Sequence, residues 1–159
     1  MPNDTLEAVQ MEDRVKVVIN GSNMNLWFTS EPETVRNALC TVTKLGSDIK
    51  ISEDISGLLE LVLAEILNNI VEHAYQEQPD GPIELAITVS ESKVHCILRD
   101  SGVPMPGGAP PERKEHDLEA PLEELPEGGF GWGIVRDLVQ DLQYNRVAHE
   151  NVLSFELSP

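Results

Sequence analysis

Apolar and polar positions recur along this chain with two periods, and the places where the period changes divide it into elements. Residues 15–20 and 24–29 alternate as two short strands joined by a turn at Gly21-Ser22-Asn23. Ser30-Glu31-Pro32-Glu33 combines a capping serine, a proline and two early carboxylates, which predicts a helix to about Leu45 with Gly46 as its stop. Ser52-Glu53-Asp54 opens a second helix, predicted to about Gln76, whose broad apolar face includes Leu59, Val62, Leu63, Ile66, Leu67 and Ile70. After the turn Pro79-Asp80-Gly81-Pro82, residues 83–90 and 93–99 alternate as a hairpin around Glu91-Ser92. Helical spacing returns over residues 132–142, and two last strands are predicted near 144–148 and 152–157.

Strands and helices in this order predict an α/β (α+β) two-layer sandwich, with a mixed, mostly antiparallel sheet and helices on one face. A length of 159 residues fits one domain with one core. Residues 1–14 read as a flexible acidic arm and residues 15–159 as the domain. Between 101 and 127 apolar periodicity stops and proline and glycine accumulate; a long irregular segment inside a compact domain is usually functional or mobile. From 103 to 128 it holds seven acidic residues against Arg113 and Lys114, and is read as a lid loop, the least ordered interior segment without a ligand.

Charge narrows the function classes. The net charge is −17 and the 11 Lys and Arg residues are scattered, so a direct nucleic-acid partner is not expected. An anionic ligand such as a triphosphate would need a cation to mediate its binding in so acidic a protein. No apolar run reaches membrane-spanning length and residues 1–14 have no signal-peptide core, so a cytoplasmic location without a membrane partner is expected. Cys40 and Cys96, far apart and each within an apolar pattern, are expected to be buried reduced thiols.

Three polar islands interrupt these patterns. Glu65, Asn68, Asn69, Glu72, His73 and Gln76 form one stripe on the second helix. Any amphipathic helix turns such a stripe to water, but this one carries amides and a histidine, and the remaining faces are apolar almost all round. A polar groove facing a cavity fits that composition. The Asn69 carbonyl is then a hard neutral ligand for Mg²⁺, and Glu65, one turn earlier, sits near a γ-phosphate, where it orients or deprotonates an attacking hydroxyl. His73 reads better as a packed or capping residue.

The second island, Arg99-Asp100-Ser101-Gly102, ends a strand, where a carboxylate can accept from an adenine amino group and a glycine lets backbone approach the purine. An ordinary strand-ending turn has the same composition. The third island, Gly128-Gly129-Phe130-Gly131-Trp132-Gly133, lies directly before a helix, where backbone N–H groups can wrap phosphates. It is neither a dinucleotide fingerprint nor a Walker loop, since it opens no βαβ unit and no Lys-Ser/Thr follows. Phe130 and Trp132 set it apart from a plain flexible linker.

The run from Glu65 through Asn69 and His73 to Tyr75 resembles the N box of the GHKL ATPases. Arg99-Asp100-Ser101-Gly102 resembles their first glycine box, and Gly129 to Arg136 their second. With the size of the domain and Asp141-Leu142-Gln143-Tyr144, the likeness is greatest to bacterial anti-sigma-factor serine/threonine kinases of the RsbW type, over roughly residues 20–157. This resemblance implies a Bergerat-type fold with ATP and Mg²⁺. It assigns Glu65 as catalytic base, Asn69 as metal ligand, Asp100 and Gly102 as the adenine contact, and Gly129, Gly131 and Gly133 as the phosphate region. It further implies a homodimer that phosphorylates a STAS-domain antagonist and binds a sigma factor. Two residues beyond Gly102, where that box commonly has a second glycine, stands Pro104, which reduces backbone freedom at the lid hinge. A non-catalytic, nucleotide-gated interaction module and a stand-alone histidine-kinase-like ATPase domain are the competing readings.

Overall fold

The structure, a computed structural model, describes residues 7–12, 14–111 and 129–159. Seven strands form one sheet: β1 (Glu7–Glu12), β2 (Val15–Asn20), β3 (Asn23–Thr29), β4 (Pro82–Ser90), β5 (Lys93–Asp100), β6 (Gln140–Val147) and β7 (Glu150–Leu157), in the order β1-β2-β3-β4-β5-β7-β6. Every neighbouring pair is antiparallel, so the sheet is not mixed as expected: every connection but one returns the chain beside the strand it has just left, and the connection from β5 to β6 skips one place, which β7 fills antiparallel to both. Three helices, α1 (Pro32–Leu45), α2 (Glu53–Asn69) and α3 (Gly129–Leu138), share one core with the sheet.

Alternation decides which sheet face meets the helices. Val15, Val17, Met24, Leu26, Phe28, Ile83, Leu85, Ile87, Val94, Cys96 and Leu98 are all buried, and the residues between them are more exposed. On the helix side, Val35, Ala38, Val42 and Leu45 of α1 fall on one stripe, as do Ile55, Leu59, Val62, Leu63, Ile66 and Leu67 of α2. On the opposite face Lys16 lies over the Trp27 ring, 5.1 Å from its centroid. The layered α/β sandwich is therefore built as the patterning requires. No helix among the described residues is long and apolar enough to cross a membrane.

Several local features differ from the sequence reading. The N-terminal arm is not free over its whole length, because Glu7–Glu12 pairs with β2 from Glu7↔Asn20 to Glu12↔Val15 and so satisfies an otherwise open strand edge. Ser30 does not cap α1. The cap position is Glu31, whose carboxylate reaches Arg14 at 2.7 Å, while the buried Ser30 hydroxyl donates to the Gln78 carbonyl and accepts from the Gly81 N–H at 3.0 Å. The α-helix does end at Leu45 with Gly46 at the cap position, as expected, but Gly46 keeps right-handed angles and the chain continues through a 3-10 turn to Ile49, which Lys50 ends in the left-handed region at φ 69°. Ser52 caps α2 as expected, accepting from the Ile55 N–H.

The last helix ends at Leu138, four residues short of the predicted Leu142. Val135, Leu138, Val139 and Leu142 keep helical spacing and all pack on the core, yet 140–142 already belong to β6. An irregularity in the ladder between Gln140 and Gln143, with Asp141 at φ 53°, shifts the register and supplies the contact that a further helical turn was expected to make. Of the two cysteines, Cys96 is buried and burial pushes its thiol pKa up, whereas Cys40 is exposed on α1, contrary to expectation.

Ser30→Ala removes the hydroxyl that ties the end of β3 to the 78–81 turn, leaving a buried N–H and a carbonyl without it. Urea unfolding should report a loss of about 1–3 kcal/mol, the range for stranding buried polar groups.

Candidate functional site

The sequence of α2 positions the site by burying most of its circumference. Val62, Leu63 and Leu67 have no exposed surface, and Glu65 and Asn69 stand half-buried on the remaining stripe, one turn apart. The helix then widens into a π turn at Ile70–Ala74, closed by the Tyr75 N–H bonding to the Ile70 carbonyl at 2.9 Å. Such one-turn insertions re-aim backbone groups and concentrate at functional sites. Here the turn leaves the Ala74 carbonyl free to accept from the Val103 N–H at 2.8 Å.

Two glycines bring the other islands onto this helix. A Cβ on Gly131 would lie 2.3 Å from Oε2 of Glu65, so the Glu65 carboxylate rests directly against the first turns of α3. A Cβ on Gly102 would lie 2.4 Å from the Ala74 carbonyl oxygen, a backbone atom that cannot step aside. Only glycine fits at Gly102 without moving the chain. Tyr75 adds a further tie, accepting from the Ser101 N–H at 2.6 Å and donating to the Pro82 carbonyl at 2.5 Å. Islands separated by dozens of residues in sequence thus meet at the two ends of one helical stretch, Glu65 to Ala74, roughly 13 Å long at the α-helical rise.

Asp100 closes β5 and is only 5% exposed. Its Oδ1 accepts twice, from the Gly102 N–H at 3.0 Å and from Asn151 Nδ2 at 2.7 Å. Its Oδ2 accepts from no donor among the described residues. Burial pushes the Asp100 carboxyl pKa above the ordinary value; the bonds from Asn151 and Gly102 and the charge of Arg146 pull the other way, and Glu150 adds to the rise. A buried carboxylate with one oxygen that no described residue engages, beside a glycine that clears the space a Cβ would fill, suits the amino edge of a purine.

Other expected residues fall differently. Gly129, Gly131 and Gly133 belong to the first turns of α3 and do not form a loop ahead of it; Gly128 lies outside the described residues. The leading N–H groups of a helix have no partner within it, so a phosphate region at this point needs no preceding loop. His73 is neither packed nor a cap: its side chain is 66% exposed and 3.9 Å from Glu72, so it stands outside the cluster. The expected lid divides into two parts. Residues 103–111 are tied down, with Tyr144 accepting from the Met105 N–H at 2.9 Å and Arg136 donating to the Pro110 and Pro111 carbonyls at 2.8 Å each, while 112–128 lie outside the described residues.

Sequence reasoning does not single out Asn151 or Arg146, and it takes Tyr144 only as part of the segment Asp141-Leu142-Gln143-Tyr144, without a role in the site. One signal was available: Asn151 begins the alternation Asn151, Leu153, Phe155, Leu157, which places an amide on the core face of β7.

The candidate group to be held is a nucleotide with a divalent cation, and the residues present fit it. No cluster of three His, Cys, Asp or Glu side chains among the described residues could hold a metal by itself. Mg²⁺ usually binds through one or two protein oxygens with phosphate and water supplying the rest, so a lone Asn69 is an adequate protein share.

An antiparallel sheet backed by helices, with one helix joining a strand-end Asp-Ser-Gly turn to a glycine-rich helix start, has the layout of a nucleotide-binding α/β sandwich. The chain belongs to the histidine kinase-like ATPase domain family, whose model matches residues 28–157. It is similar to the serine-protein kinase RsbW of Oceanobacillus iheyensis, 26% identical over 117 residues, which is 73% of this chain and 74% of that protein. It is also similar to the anti-sigma F factor of Geobacillus stearothermophilus, 24% identical over 121 residues, 76% of this chain and 81% of the relative. The RsbW of Bacillus thuringiensis is 29% identical over 86 residues, covering 54% and 53% of the two chains.

Asp100→Asn separates stability from binding. The folded-state pKa of Asp100 is raised, so its contribution to stability is fully present below the unfolded value of about 3.9 and is lost as pH rises through the folded value. Above that value the wild type buries a charge that the amide variant does not. Thermal melts should show Asp100→Asn at least as stable as wild type at pH 7–8, with that advantage falling away in acid. Its ATP affinity should nevertheless be lower with or without metal.

Proposed function

We propose that this domain is an ATP- and Mg²⁺-dependent serine/threonine protein kinase of the anti-sigma-factor type. It phosphorylates a STAS-domain antagonist and binds a sigma factor within a partner-switching homodimer. The observation that carries this reading is the contact of the Glu65 carboxylate with Gly131 at the start of α3, one helical turn from Asn69. A carboxylate and an amide beside a helix N-terminus support this reading, because phosphoryl transfer to a hydroxyl calls on groups of these kinds. Names of two kinds among the relatives, serine-protein kinase and anti-sigma F factor, support the same reading.

The roles follow from each group's chemistry. Asp100, through Oδ2, accepts from the adenine amino group, and Gly102 clears the space beside it. Asn69 offers its carbonyl to Mg²⁺, which when bound offsets phosphate charge in this acidic protein. The backbone of Gly129, Gly131 and Gly133 presents N–H groups to phosphate oxygens. Glu65 orients the incoming serine hydroxyl and accepts its proton. The strapped segment 102–105, with Pro104 at its centre, favours a second reading, a nucleotide-gated binding module without transfer, because it restricts movement at the hinge of the expected lid.

γ-Labelled ATP with a candidate STAS protein separates these. Glu65→Gln should keep wild-type ATP affinity and lower transfer by about 10²–10⁴-fold, the usual general-base contribution. Wild-type transfer rates in this variant would remove Glu65 as the base, and ATP binding with no transfer even by wild type would favour the binding module. Asn69→Ala should weaken ATP binding only when Mg²⁺ is present, by calorimetry with and without the metal.

A further inference from the structure

Strands β5, β7 and β6 place Asp100, Asn151 and Arg146 directly opposite one another, as a single row across the sheet. Asn151, the middle member, is 4% exposed, and its neighbours on the same face of β7 are Leu153, Phe155 and Leu157. An amide in such company is costly unless its bonding capacity is filled. It has two N–H donors and two acceptor lone pairs, and all four are used. Nδ2 donates to Asp100 Oδ1 at 2.7 Å and to the Val103 carbonyl at 2.9 Å. Oδ1 accepts from the Tyr144 hydroxyl and from Arg146 at 3.0 Å.

The partners leave this amide one orientation. A guanidinium can only donate, and the Tyr144 oxygen already accepts from the Met105 N–H at 2.9 Å, so its own proton is free to point at Asn151. The Asn151 oxygen therefore faces Arg146 and Tyr144, and its NH₂ faces Asp100. Arg146 also donates to the Gly102 carbonyl at 2.6 Å, so the same cluster grips the backbone on both sides of the strap.

We propose that Asn151, oriented by Arg146 and Tyr144, is a positioning residue for nucleotide recognition. It saturates Oδ1 of Asp100 so that Oδ2 is the oxygen offered to a purine amino group, and it joins that carboxylate to the strap at 102–105. The inference rests on the nucleotide reading of Asp100 and adds to it a requirement, proton donation from residue 151. Displacing the strap pulls on Asn151 through Val103, so the base contact and the strap move as one unit.

Asn151→Asp tests this, being nearly isosteric while replacing the donating NH₂ by a carboxyl oxygen. The charged and titratable groups around Asp100 are Arg146 on β6, Glu150 on β7 and Tyr75 after α2. Two carboxyls this close share one proton. Protonated, the introduced carboxyl donates once and restores the bond to Asp100, though not the one to the Val103 carbonyl; ionised, it donates nothing. Affinity for a non-hydrolysable ATP analogue with Mg²⁺, measured by calorimetry as a ratio to wild type at each pH, cancels titration of the nucleotide. The variant should bind about tenfold or more weakly at pH 8 and recover a clear part of that loss at pH 6, when the bond to Asp100 returns. Equal loss at both pH values overturns the inference and makes Asn151 a packing residue only. If Asn151→Asp does not fold, Arg146→Met decides instead: loss of that cation should move the acid limb of analogue binding to higher pH, and an unmoved limb overturns the inference. Wild-type protein that binds no analogue at either pH overturns the nucleotide reading and this inference together.

Discussion

Burial of α2 on the sheet governs what the rest of the molecule can do. Its core-facing residues include Val62, Leu63, Ile66 and Leu67, each at most 1% exposed, and truncating one such aliphatic side chain costs about 2–5 kcal/mol. So large a penalty fixes the helix in rotation as well as in position, which leaves Glu65 and Asn69 no choice of direction. The close approaches at Gly131 and Gly102 then place α3 and the end of β5 against opposite ends of the same stretch. The site is thus a consequence of packing: a rotation of α2 by a fraction of a turn would separate all three islands.

The second constraint is polar. A buried carboxylate at Asp100 is held by a backbone N–H and an amide, and the amide by a phenol and a guanidinium. Networks of this kind are rigid when every member is satisfied. Its cost shows in the raised Asp100 pKa, where burial outweighs three favourable partners. Retaining an ionisable group under that penalty is what a binding site requires and what packing alone would remove. The net charge of −17 adds a demand of its own, since a polyphosphate approaching this surface must come with a cation.

Much of this was legible in the sequence because period and burial agree. Alternation in residues 83–99 gave the central hairpin, and the apolar spacing of α2 gave its buried face. The glycines stood out because few other reasons cluster them before a helix. What escaped notice had physical causes. Ser30 resembles a helix cap locally but is drawn into a bond with the turn fifty residues away, a tertiary contact that local pattern does not carry. Leu142 keeps helical spacing although a ladder irregularity places it on a strand. Asn151 looks like a loop residue beside Glu150, and only the register of β7 against β5 sets it opposite Asp100. The strapping of 102–111 was hidden because two of its donors, Arg136 to the Pro110 and Pro111 carbonyls and Arg146 to that of Gly102, are surface residues by composition and anchors by position.

If the three islands form one nucleotide site on α2, they must sense the ligand as one. Backbone amide NMR during titration with Mg²⁺ and a non-hydrolysable ATP analogue reads this residue by residue. The amides of Asn69, Gly102 and Gly131 should shift together along one binding curve with a single Kd. Shifts confined to one island, or curves giving different affinities for the three, would show that they do not share a site.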